Sequence, residues 1–324
     1  MTVVAEVLRS GFVESRHHGS IAALGAAGNR VVSLGRPDDP TFPRSSLKPL
    51  QAVAFLRAGI DEKFGLSDRH VALTAASHSG EQVHVDAVRD LLSTAGVAES
   101  DLGCPRDWPL DEAVMRTLAE RGIQPSRIFH NCSGKHAGML AACAAAGWPA
   151  QGYLTADHPL QQHVRTVVED LVGEPVAATG VDGCGAPVFA VSLVGLARAF
   201  ARLVTAPDGS AEQRVAAAMR THPELVGGTS RDVTRVMTAV PGLVAKDGAE
   251  GVYAAATADG AAVALKIEDG AGRARMPVLI AALRRLGAVG DSAALDELSR
   301  PVVLGGGERV GEVRVVEFPE QLLP

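Results

Sequence analysis

The spacing between hydrophobic residues changes along the length of this chain. Near the amino terminus, short apolar runs alternate with polar positions and Gly-rich turns, a pattern typical of strands. Between about residues 45 and 240, apolar positions recur every three or four residues, which is the spacing of helices. The pattern predicts strands at 2–8, 11–16, 20–24 and 31–34, and helices at 47–58, 82–95, 111–120, 134–146, 159–172, 211–221 and 231–239.

Strand patterns return in the last third of the chain, at residues 242–246, 252–257 and 261–267. The last two are joined across Asp259 and Gly260, a pair strongly favoured in tight hairpin turns. A helix is predicted at 278–286 and a final strand at 313–316.

Strands in both terminal parts, with helices between them, predict an α+β fold with one antiparallel sheet built from both ends of the chain. We expect a single domain, residues 1–324, in which a helical lobe at roughly 45–240 packs against the sheet lobe. A cleft between the two lobes is the expected active site.

Composition narrows the class of protein. Hydrophobic residues make up 47% of the chain and aromatic residues only 4%, so Ala, Val and Leu must fill most of the core. The net charge of -6 argues against nucleic acid or an anionic membrane as a partner. No apolar stretch approaches the ~20 residues that cross a bilayer, and the first residues lack the basic region of a signal peptide. We expect a cytoplasmic protein that acts on a small molecule.

Ser45 and Lys48 are the first candidates for chemistry. Residues three apart share one face of a helix, so these two side chains can approach each other. A serine hydroxyl needs an adjacent base, and a lysine serves when burial keeps it neutral. The start of a helix adds backbone N–H groups for a developing oxyanion. Alternatively, Ser45 or Ser46 caps a helix and Lys48 is a solvated surface charge.

Two further segments carry chemistry-bearing residues. Ser77 and Ser79 lie in a loop of small residues, where a second serine could relay a proton to a leaving amine. The alternative is that Ser79 caps the helix predicted to begin at Gln82. Lys246 ends an apolar strand, and Gly248 leaves room for a substrate beside it. Its alternative role is that of a solvated strand-end charge.

The four cysteines are widely spaced, as expected of reduced thiols or metal ligands rather than disulfides. Cys132 and Cys184 lie in the two segments richest in functional residue types. Together with Lys135, Asp182 or His136 they supply enough ligands for one Zn²⁺. Because no Cys-x-x-Cys pair exists, the alternative that both cysteines are small buried residues stays open.

In combination, these segments resemble the Rhizobium etli-type (class 3) L-asparaginase family, whose relatives are the serine β-lactamase-like glutaminases. The resemblance spans nearly the whole chain. The segments that contain cysteine discriminate best, because β-lactamases have no counterpart for them. The segments that carry the resemblance are 13–17, 45–49, 76–81, 132–139, 182–185 and 246–251.

The resemblance implies a serine β-lactamase-like fold with two Ser-Lys pairs, Ser45–Lys48 and Ser77–Lys246. Lys266 competes for the role of the late lysine, but the Lys-x-Gly context favours Lys246. The resemblance also implies a homodimer.

A zinc ion is implied by the same resemblance, with Cys132, Lys135 and Cys184 as its ligands and Asp182 near the metal. Lysine is a rare zinc ligand and must be neutral to bind, so a metal would lower its pKa as it does a thiol's. The implied zinc assists substrate binding and does not generate the attacking water.

The function we expect is hydrolysis of L-asparagine to L-aspartate and ammonia through a serine acyl-enzyme. Four residues are candidates for anchoring the charged ends of the substrate: Arg16, His17, Glu81 and Asn131. Glutamine differs by one methylene, worth only ~1–3 kcal/mol in a fitted pocket, so a glutaminase or a broader amino-acid amidase is an alternative. A β-lactam hydrolase is another, and a zinc-stabilised amino-acid binding protein without turnover is an alternative of a different class.

Overall fold

The computed structural model describes residues 2–318, in which ten strands occur. They are β1 (Thr2–Arg9), β2 (Phe12–Leu24), β3 (Arg30–Leu34), β4 (Ala178–Val181), β5 (Pro187–Ala190), β6 (Val244–Asp247), β7 (Val252–Ala256), β8 (Ala262–Ile267), β9 (Val302–Gly305) and β10 (Glu308–Val315). Eight of them form one antiparallel sheet in the order β6-β7-β8-β2-β1-β10-β9, with β3 paired to β2. The strands β4 and β5 form a separate hairpin.

Most of the helices lie between the two groups of strands that build the sheet. Those of residues 2–318 are α1 (Lys48–Arg57), α2 (Ile60–Phe64), α3 (Asp68–Thr74), α4 (Gln82–Thr94), α5 (Glu112–Glu120), α6 (Ser133–Ala146), α7 (Pro159–Val172), α8 (Leu193–Thr205), α9 (Ala211–Thr221), α10 (Pro223–Val226), α11 (Asp232–Ala239), α12 (Arg275–Arg285) and α13 (Ala293–Ser299). None of them combines the length and the apolar character that a membrane crossing requires.

The predicted α+β architecture is confirmed, with one antiparallel sheet that draws strands from both terminal parts of the described chain. The division of residues 1–324 into one domain with two lobes stays a prediction. Met1 and residues 319–324, which that prediction includes, lie outside the described residues.

The long strand β2 differs from the sequence prediction, which divided it into strands at 11–16 and 20–24. The polar residues in its middle do not interrupt it, because β2 exchanges partners along its length. Its first half pairs with β1, and its second half pairs with β8 and β3. Backbone groups are therefore satisfied throughout, and the strand continues over 13 residues.

Helix α8 is absent from the sequence prediction. It packs against α7 and α9 and against three strands of the sheet, and its apolar residues form one face, with Arg198 and Arg202 on the other side. The helical period is therefore present in this segment, and the helix could have been predicted from it. The turn at Asp259 and Gly260 was predicted correctly: β7 and β8 pair across it, and Gly260 has a φ of 95°, which favours glycine.

The core is built from small aliphatic side chains, as the composition predicts. Helix α1 lies deep in the helical layer, against α6, α7 and α9, and every residue from Lys48 to Leu56 is buried. A lysine at the start of such a helix is enclosed by protein. The fold therefore removes Lys48 from solvent, which excludes the alternative of a surface charge.

Candidate active site

The turn before α1 presents two serines in different ways. Residues Arg44–Leu47 form one turn of 3₁₀ helix that leads directly into α1. The hydroxyl of Ser46 is buried and donates a hydrogen bond of 3.0 Å to the carbonyl of Lys246. Ser45 is only partly buried, and its hydroxyl has no hydrogen bond to any residue from 2 to 318. Of the two, Ser45 is free to react.

Arg44 precedes Ser45 in an unusual backbone conformation. Its φ is 54°, in the left-handed region, which costs a non-glycine residue roughly 1–2 kcal/mol. Its guanidinium Nε donates a hydrogen bond of 2.6 Å to Oδ1 of Asp182, a residue 138 positions away. Strain of this kind persists only where the surroundings enforce it, and it concentrates at functional sites. Arg44 was not among the residues predicted for the site, and its position next to Ser45 is the signal that the sequence offers for it.

Lys48 is 1% exposed and its amine reaches the loop after α3. It donates hydrogen bonds of 2.6 Å to the carbonyl of Ala76 and 2.8 Å to the hydroxyl of Ser77. The amine therefore connects the turn that carries Ser45 with the second candidate serine.

The Ser77 loop is held on both sides by backbone hydrogen bonds. Ser77 N donates to the carbonyl of Val226 over 2.9 Å, and His78 N donates to the carbonyl of Asn131 over 3.1 Å. The hydroxyl of Ser79 donates to the carbonyl of Gly227 over 2.8 Å. The alternative role of Ser79 as a helix cap is wrong, since α4 has no side-chain cap.

Lys246 lies at the end of β6 with its amine fully buried. The amine contacts Oδ1 of Asp247 and donates a hydrogen bond of 2.9 Å to the carbonyl of the same residue. Burial lowers the pKa of Lys246 to about 8, against the attraction of Asp247 and with the help of the positive charge on Lys48. Its amine has no hydrogen bond to Ser77, which is bonded to Lys48 instead. The resemblance implies that Ser77 pairs with Lys246, whereas in the structure Ser77 is hydrogen-bonded to Lys48.

Lys266, the competing lysine, has a different environment. It is only half-buried on β8, and its amine donates to the carbonyls of Glu250 and Ile267 over 2.7 and 3.0 Å. These contacts tie it to the strand end and not to Ser45, Lys48 or Ser77. The geometry favours Lys246 over Lys266.

Gly248 allows β6 to approach the turn that carries Ser45. A Cβ at this position would lie 2.4 Å from the carbonyl oxygen of Pro43 and 2.9 Å from Oγ of Ser46. Glycine is therefore required by close packing at this point. The Lys-x-Gly pattern seen in the sequence corresponds to close contact between the end of β6 and the turn that carries Ser45.

The two cysteine segments meet beside Lys135. Cys132 and Cys184 are both buried, and the amine of Lys135 lies 3.0 Å from Sγ of Cys184. The hydrogen bond from Cys184 lowers the pKa of Cys132 well below the usual thiol range, and the charges of Lys48 and Lys135 also favour its thiolate. The same hydrogen bond, with burial, raises the pKa of Cys184, so Cys132 is the thiol that loses its proton first.

Two charged groups, Lys135 and Asp182, belong to this cluster. Burial opposes the charge of Lys135, but the neighbouring thiols outweigh it and raise its pKa. Asp182 Oδ2 lies 3.9 Å from Sγ of Cys184, and Lys135 and Arg44 lower the pKa of Asp182 against the effect of its burial.

His136 offers an unused donor atom in the same region. Its Nδ1 lies 2.6 Å from the hydroxyl of Tyr153, whereas its Nε2 is buried without a hydrogen-bond partner among the described residues. Burial lowers its pKa to about 4, and the nearby Cys184 acts in the opposite direction. Within residues 2–318, no group of three or more His, Cys, Asp or Glu side chains is arranged to hold a metal ion. A metal here therefore needs the amine of Lys135 beside the two thiols, and such a donor set suits Zn²⁺.

The predicted substrate anchors are separated by the fold. Arg16 is exposed on β2, where its guanidinium pairs with Glu6 at 3.2 Å. His17 is buried and its Nδ1 lies 2.6 Å from Asp269, while Arg273 Nε donates to its Nε2 over 2.9 Å. None of these contacts joins either residue to Ser45, Lys48 or Ser77.

Glu81 and Asn131 lie closer to the reactive residues. Glu81 accepts hydrogen bonds from the backbone N–H and the hydroxyl of Thr229, at 2.9 and 3.1 Å, on the segment that braces the Ser77 loop. The side-chain amide of Asn131 lies 2.9 Å from Sγ of Cys132. Asn131 is therefore part of the thiol cluster.

A cleft of about 700 Å³ lies elsewhere on the protein, lined by Arg235, Arg273 and Arg300 among others. Its lining includes none of Ser45, Lys48, Ser77 or the cysteines. This cleft is therefore separate from the candidate residues for chemistry.

A free hydroxyl beside buried amines is the arrangement expected of a hydrolase that acts on amides or esters. The family model described as L-asparaginase II matches residues 5–315, and the chain belongs to that family. The family resemblance inferred from the sequence is thereby confirmed, and with it the class of a hydrolase that acts on amides.

Comparison with solved structures gives weak similarities. A β-lactamase from Mycobacterium bovis has 15% identity and a TM-score of 0.44, with 78% of this chain and 88% of that chain covered. A protein named Mglu, in its native form, has 16% identity and a TM-score of 0.34, with 82% and 62% covered. The same protein in its tris and glutamate form has 16% identity and a TM-score of 0.37, with 89% and 64% covered. Among curated proteins no match was found.

Proposed function

We propose that this protein hydrolyses L-asparagine to L-aspartate and ammonia through an acyl-enzyme on Ser45. The observation that carries the proposal is the contrast between the two serines of the 3₁₀ turn. Ser46 is buried and bonded to the strand, whereas Ser45 is accessible, has no hydrogen-bond partner within residues 2–318 and lies one turn before the buried amine of Lys48. Membership of the L-asparaginase II family supports an amide as the substrate.

Lys48 is charged in the resting protein, and acylation uses the fraction of molecules in which its amine is neutral: this amine takes the Ser45 proton as Oγ attacks the side-chain amide carbon. The backbone N–H of Ser45 is the candidate for stabilising the tetrahedral oxyanion, since the N–H of Lys48 is bonded to the carbonyl of Ser45 and Pro49 has none. Because Lys48 is bonded to Ser77, the hydroxyl of Ser77 is placed to pass a proton to the departing ammonia. Water then hydrolyses the β-aspartyl ester.

Lys246 is the second amine of this machinery. Its fully buried position at the end of β6 sets it beside the turn of Ser45, and the charge of Lys48 acts on it. We assign it the supply of a proton to Ser77, which requires the amine to leave its contact with Asp247. This step uses the protonated form of Lys246.

Zinc would be held by Cys132, Lys135 and Cys184, with Asp182 beside the metal. The two thiols and the amine are already in contact, and the unpartnered Nε2 of His136 is a further donor nearby. When bound, the metal would supply a positive charge that helps to hold the substrate. The ion pair from Asp182 to Arg44 links this cluster to the residue before the nucleophile.

Substrate recognition requires partners for the charged α-amino and α-carboxylate groups. Glu81 stays a candidate for the α-amino group, because it follows the Ser77 loop in the chain and is bonded to Thr229, on the segment that braces this loop. Arg44 is an additional candidate for the carboxylate, since only its Nε is used by Asp182. Arg16 and His17 are bonded to other residues and are weaker candidates. The cytoplasmic location and the homodimer stay predictions.

The test compares Ser45→Ala with Ser46→Ala, measuring ammonia released from asparagine. Ser45→Ala should lose at least about 1,000-fold in kcat, whereas Ser46→Ala should retain the reaction and lose about 1 kcal/mol of stability with its hydrogen bond. Acid-quenched parent enzyme should show a mass increase of one aspartyl group, absent from Ser45→Ala. Full activity of Ser45→Ala would overturn the assignment.

The same assay separates the alternatives. Parallel runs with asparagine and glutamine compare kcat/KM for the two amides, and a preference for glutamine would change the substrate but not the site. A protein that binds asparagine in a calorimeter without releasing ammonia would be the binding protein of the other class.

A further inference from the structure

The side chains of Lys246 and Asp247 meet although the residues are neighbours on one strand. Consecutive side chains in a strand point to opposite faces of the sheet. Asp247 is the last residue of β6, and the chain turns into Gly248 immediately after it. At this strand end the Lys246 amine folds back to contact the carboxylate and the carbonyl of Asp247. The contact is possible because β6 ends at Asp247, where the alternation of side chains between the two faces of the sheet also ends.

The carboxylate of Asp247 is held from its other side as well. Arg231, just before α11, donates a hydrogen bond of 2.6 Å from Nη2 to Oδ2 of Asp247. Arg275, on α12, donates a hydrogen bond of 2.7 Å to the carbonyl of Gly248. One oxygen of Asp247 thus faces Lys246 and the other faces Arg231, and the residue that follows is fixed by a second arginine.

Burial makes the charges of this cluster interdependent. Asp247 is the anion that favours the charged amine of Lys246, whereas the cations Lys48 and Arg231 oppose it. Burial would raise the pKa of Asp247, but Lys246, Arg231 and Arg275 hold it well below its usual range. Asp247 therefore stays ionised at every pH at which the enzyme would work.

Two further groups face Asp247 from neighbouring elements. Asp232, on α11, has its pKa raised by burial and by the charge of Asp247. Tyr253, on β7, has its pKa raised well above its usual range by burial and by both aspartates. Neither group is hydrogen-bonded to the carboxylate of Asp247, so Lys246 and Arg231 are the side chains of residues 2–318 that compete for its two oxygens.

We propose that Asp247, held by Arg231, is a positioning residue that fixes the resting place of the Lys246 amine and governs how firmly this amine holds its proton. Arg231 acts through Asp247: by sharing the carboxylate it weakens the attraction of that carboxylate for Lys246. For catalysis this inference rests on the proposed function, in which Lys246 supplies a proton to Ser77. For proton binding it rests only on the contacts described above.

The test uses the full chain labelled with ¹³C and follows the Cε resonance of Lys246 against pH, assigned by its disappearance in Lys246→Met. Asp247→Asn keeps the shape of the side chain and removes its negative charge. The titration midpoint of the Lys246 amine should therefore move to lower pH by about one unit or more. Arg231→Gln keeps a donor and removes a repelling charge, so the midpoint should move to higher pH. Arg231→Lys retains the charge and should leave the midpoint near that of the parent.

Opposite shifts are the result that a purely structural role would not produce, because general damage to the strand end would move both variants the same way. Equal shifts in one direction, or unchanged midpoints in both variants, would overturn the proposal. Thermal melting identifies any variant that does not fold; if Asp247→Asn fails, the contrast between Arg231→Gln and Arg231→Lys decides alone.

The second part of the test measures how kcat for asparagine hydrolysis depends on pH in the same variants. If Lys246 gives its proton during turnover, the alkaline limb of the kcat profile should move in the same directions as the resonance. Shifted resonances without any asparagine hydrolysis would refute the proposed function and leave the role of Asp247 intact. Asparagine hydrolysis with unshifted Lys246 resonances in the variants would support the proposed function and refute the role of Asp247.

Discussion

The amine of Lys48 lies 2.8 Å from the hydroxyl of Ser77, a residue 29 positions further along the chain. This contact joins the candidate base of Ser45 to the second candidate serine in one hydrogen-bonded unit. Two independent Ser-Lys pairs would keep their proton transfers separate. In the proposed reaction, the proton taken from Ser45 would arrive at an amine that is already bonded to Ser77.

Ser77→Ala should therefore impair the reaction differently from Ser45→Ala. The nucleophile and its base remain, but the relay to the leaving ammonia is lost, which typically costs about 100- to 10,000-fold in rate. We expect slow formation of the acyl-enzyme in rapid-quench mass spectrometry. Ser79→Ala, in the same loop, removes only the hydrogen bond to Gly227 and serves as the control. Equal activity of the two variants would contradict the relay.

The two late lysines can be distinguished by replacing each with methionine. Lys246→Met removes a fully buried amine beside the reactive turn, so asparagine hydrolysis should fall by at least about 100-fold. Lys266→Met removes an amine that bonds only backbone carbonyls at a strand end, and should retain activity within about threefold of the parent. The reverse order of activities would move the assignment to Lys266.

Stability should depend on pH through Lys246. Burial lowers its pKa from the ordinary 10.5 to about 8, so the unfolded chain holds this proton more tightly than the folded protein does. The charged amine destabilises the fold below about pH 8, and this cost disappears as the pH rises toward 10.5.

The corresponding measurement compares urea unfolding of the parent and Lys246→Met. The difference in their unfolding free energies should change in favour of the parent by about 2–3 kcal/mol between near-neutral and strongly alkaline pH. A difference that stays constant over this range would contradict the lowered pKa.

Gly248→Ala tests the contact between the end of β6 and the turn that carries Ser45. The new Cβ would lie 2.4 Å from the carbonyl of Pro43, so the turn or the strand must move. We expect a loss of about 1–3 kcal/mol in stability and at least about tenfold in kcat. Gly290→Ala is a matched control, because its Cβ would meet nothing within 4 Å and its φ is not in the left-handed region. Unchanged activity of Gly248→Ala would show that the approach is not needed.

Zinc binding can be tested without reference to activity. Cys132→Ser and Cys184→Ser should each lower the zinc content measured by elemental analysis of protein equilibrated with the metal, because each removes a thiolate ligand. Cys143→Ser is the control, since that buried thiol lies within α6 and outside the cluster. Equal zinc content in all three variants would place the metal elsewhere or exclude it.

Local features of this protein followed from the sequence. Asp259 and Gly260 predicted the hairpin because a tight turn depends on adjacent residues. The turn that carries Ser45 and Lys48 was located because the apolar helix beginning at Lys48 is visible as a periodic pattern; the role of Ser45 as nucleophile stays a prediction. The strands in the two terminal parts predicted the α+β sheet, since strand signals depend mainly on local alternation.

Contacts between distant segments required the tertiary structure. The bond from Lys48 to Ser77, the approach of Cys132 to Cys184, and the link from Arg44 to Asp182 join residues whose spacing in the sequence carries no distance information. Arg16 and His17, which were predicted to anchor the substrate, are instead bonded to residues of neighbouring strands and loops, and nothing in the sequence indicated these partners. The sequence determined which chemical groups the protein has and which elements carry them. Only the packing of helices against the sheet decided which groups meet, because burial excludes water and leaves each polar side chain to find its partner within the protein.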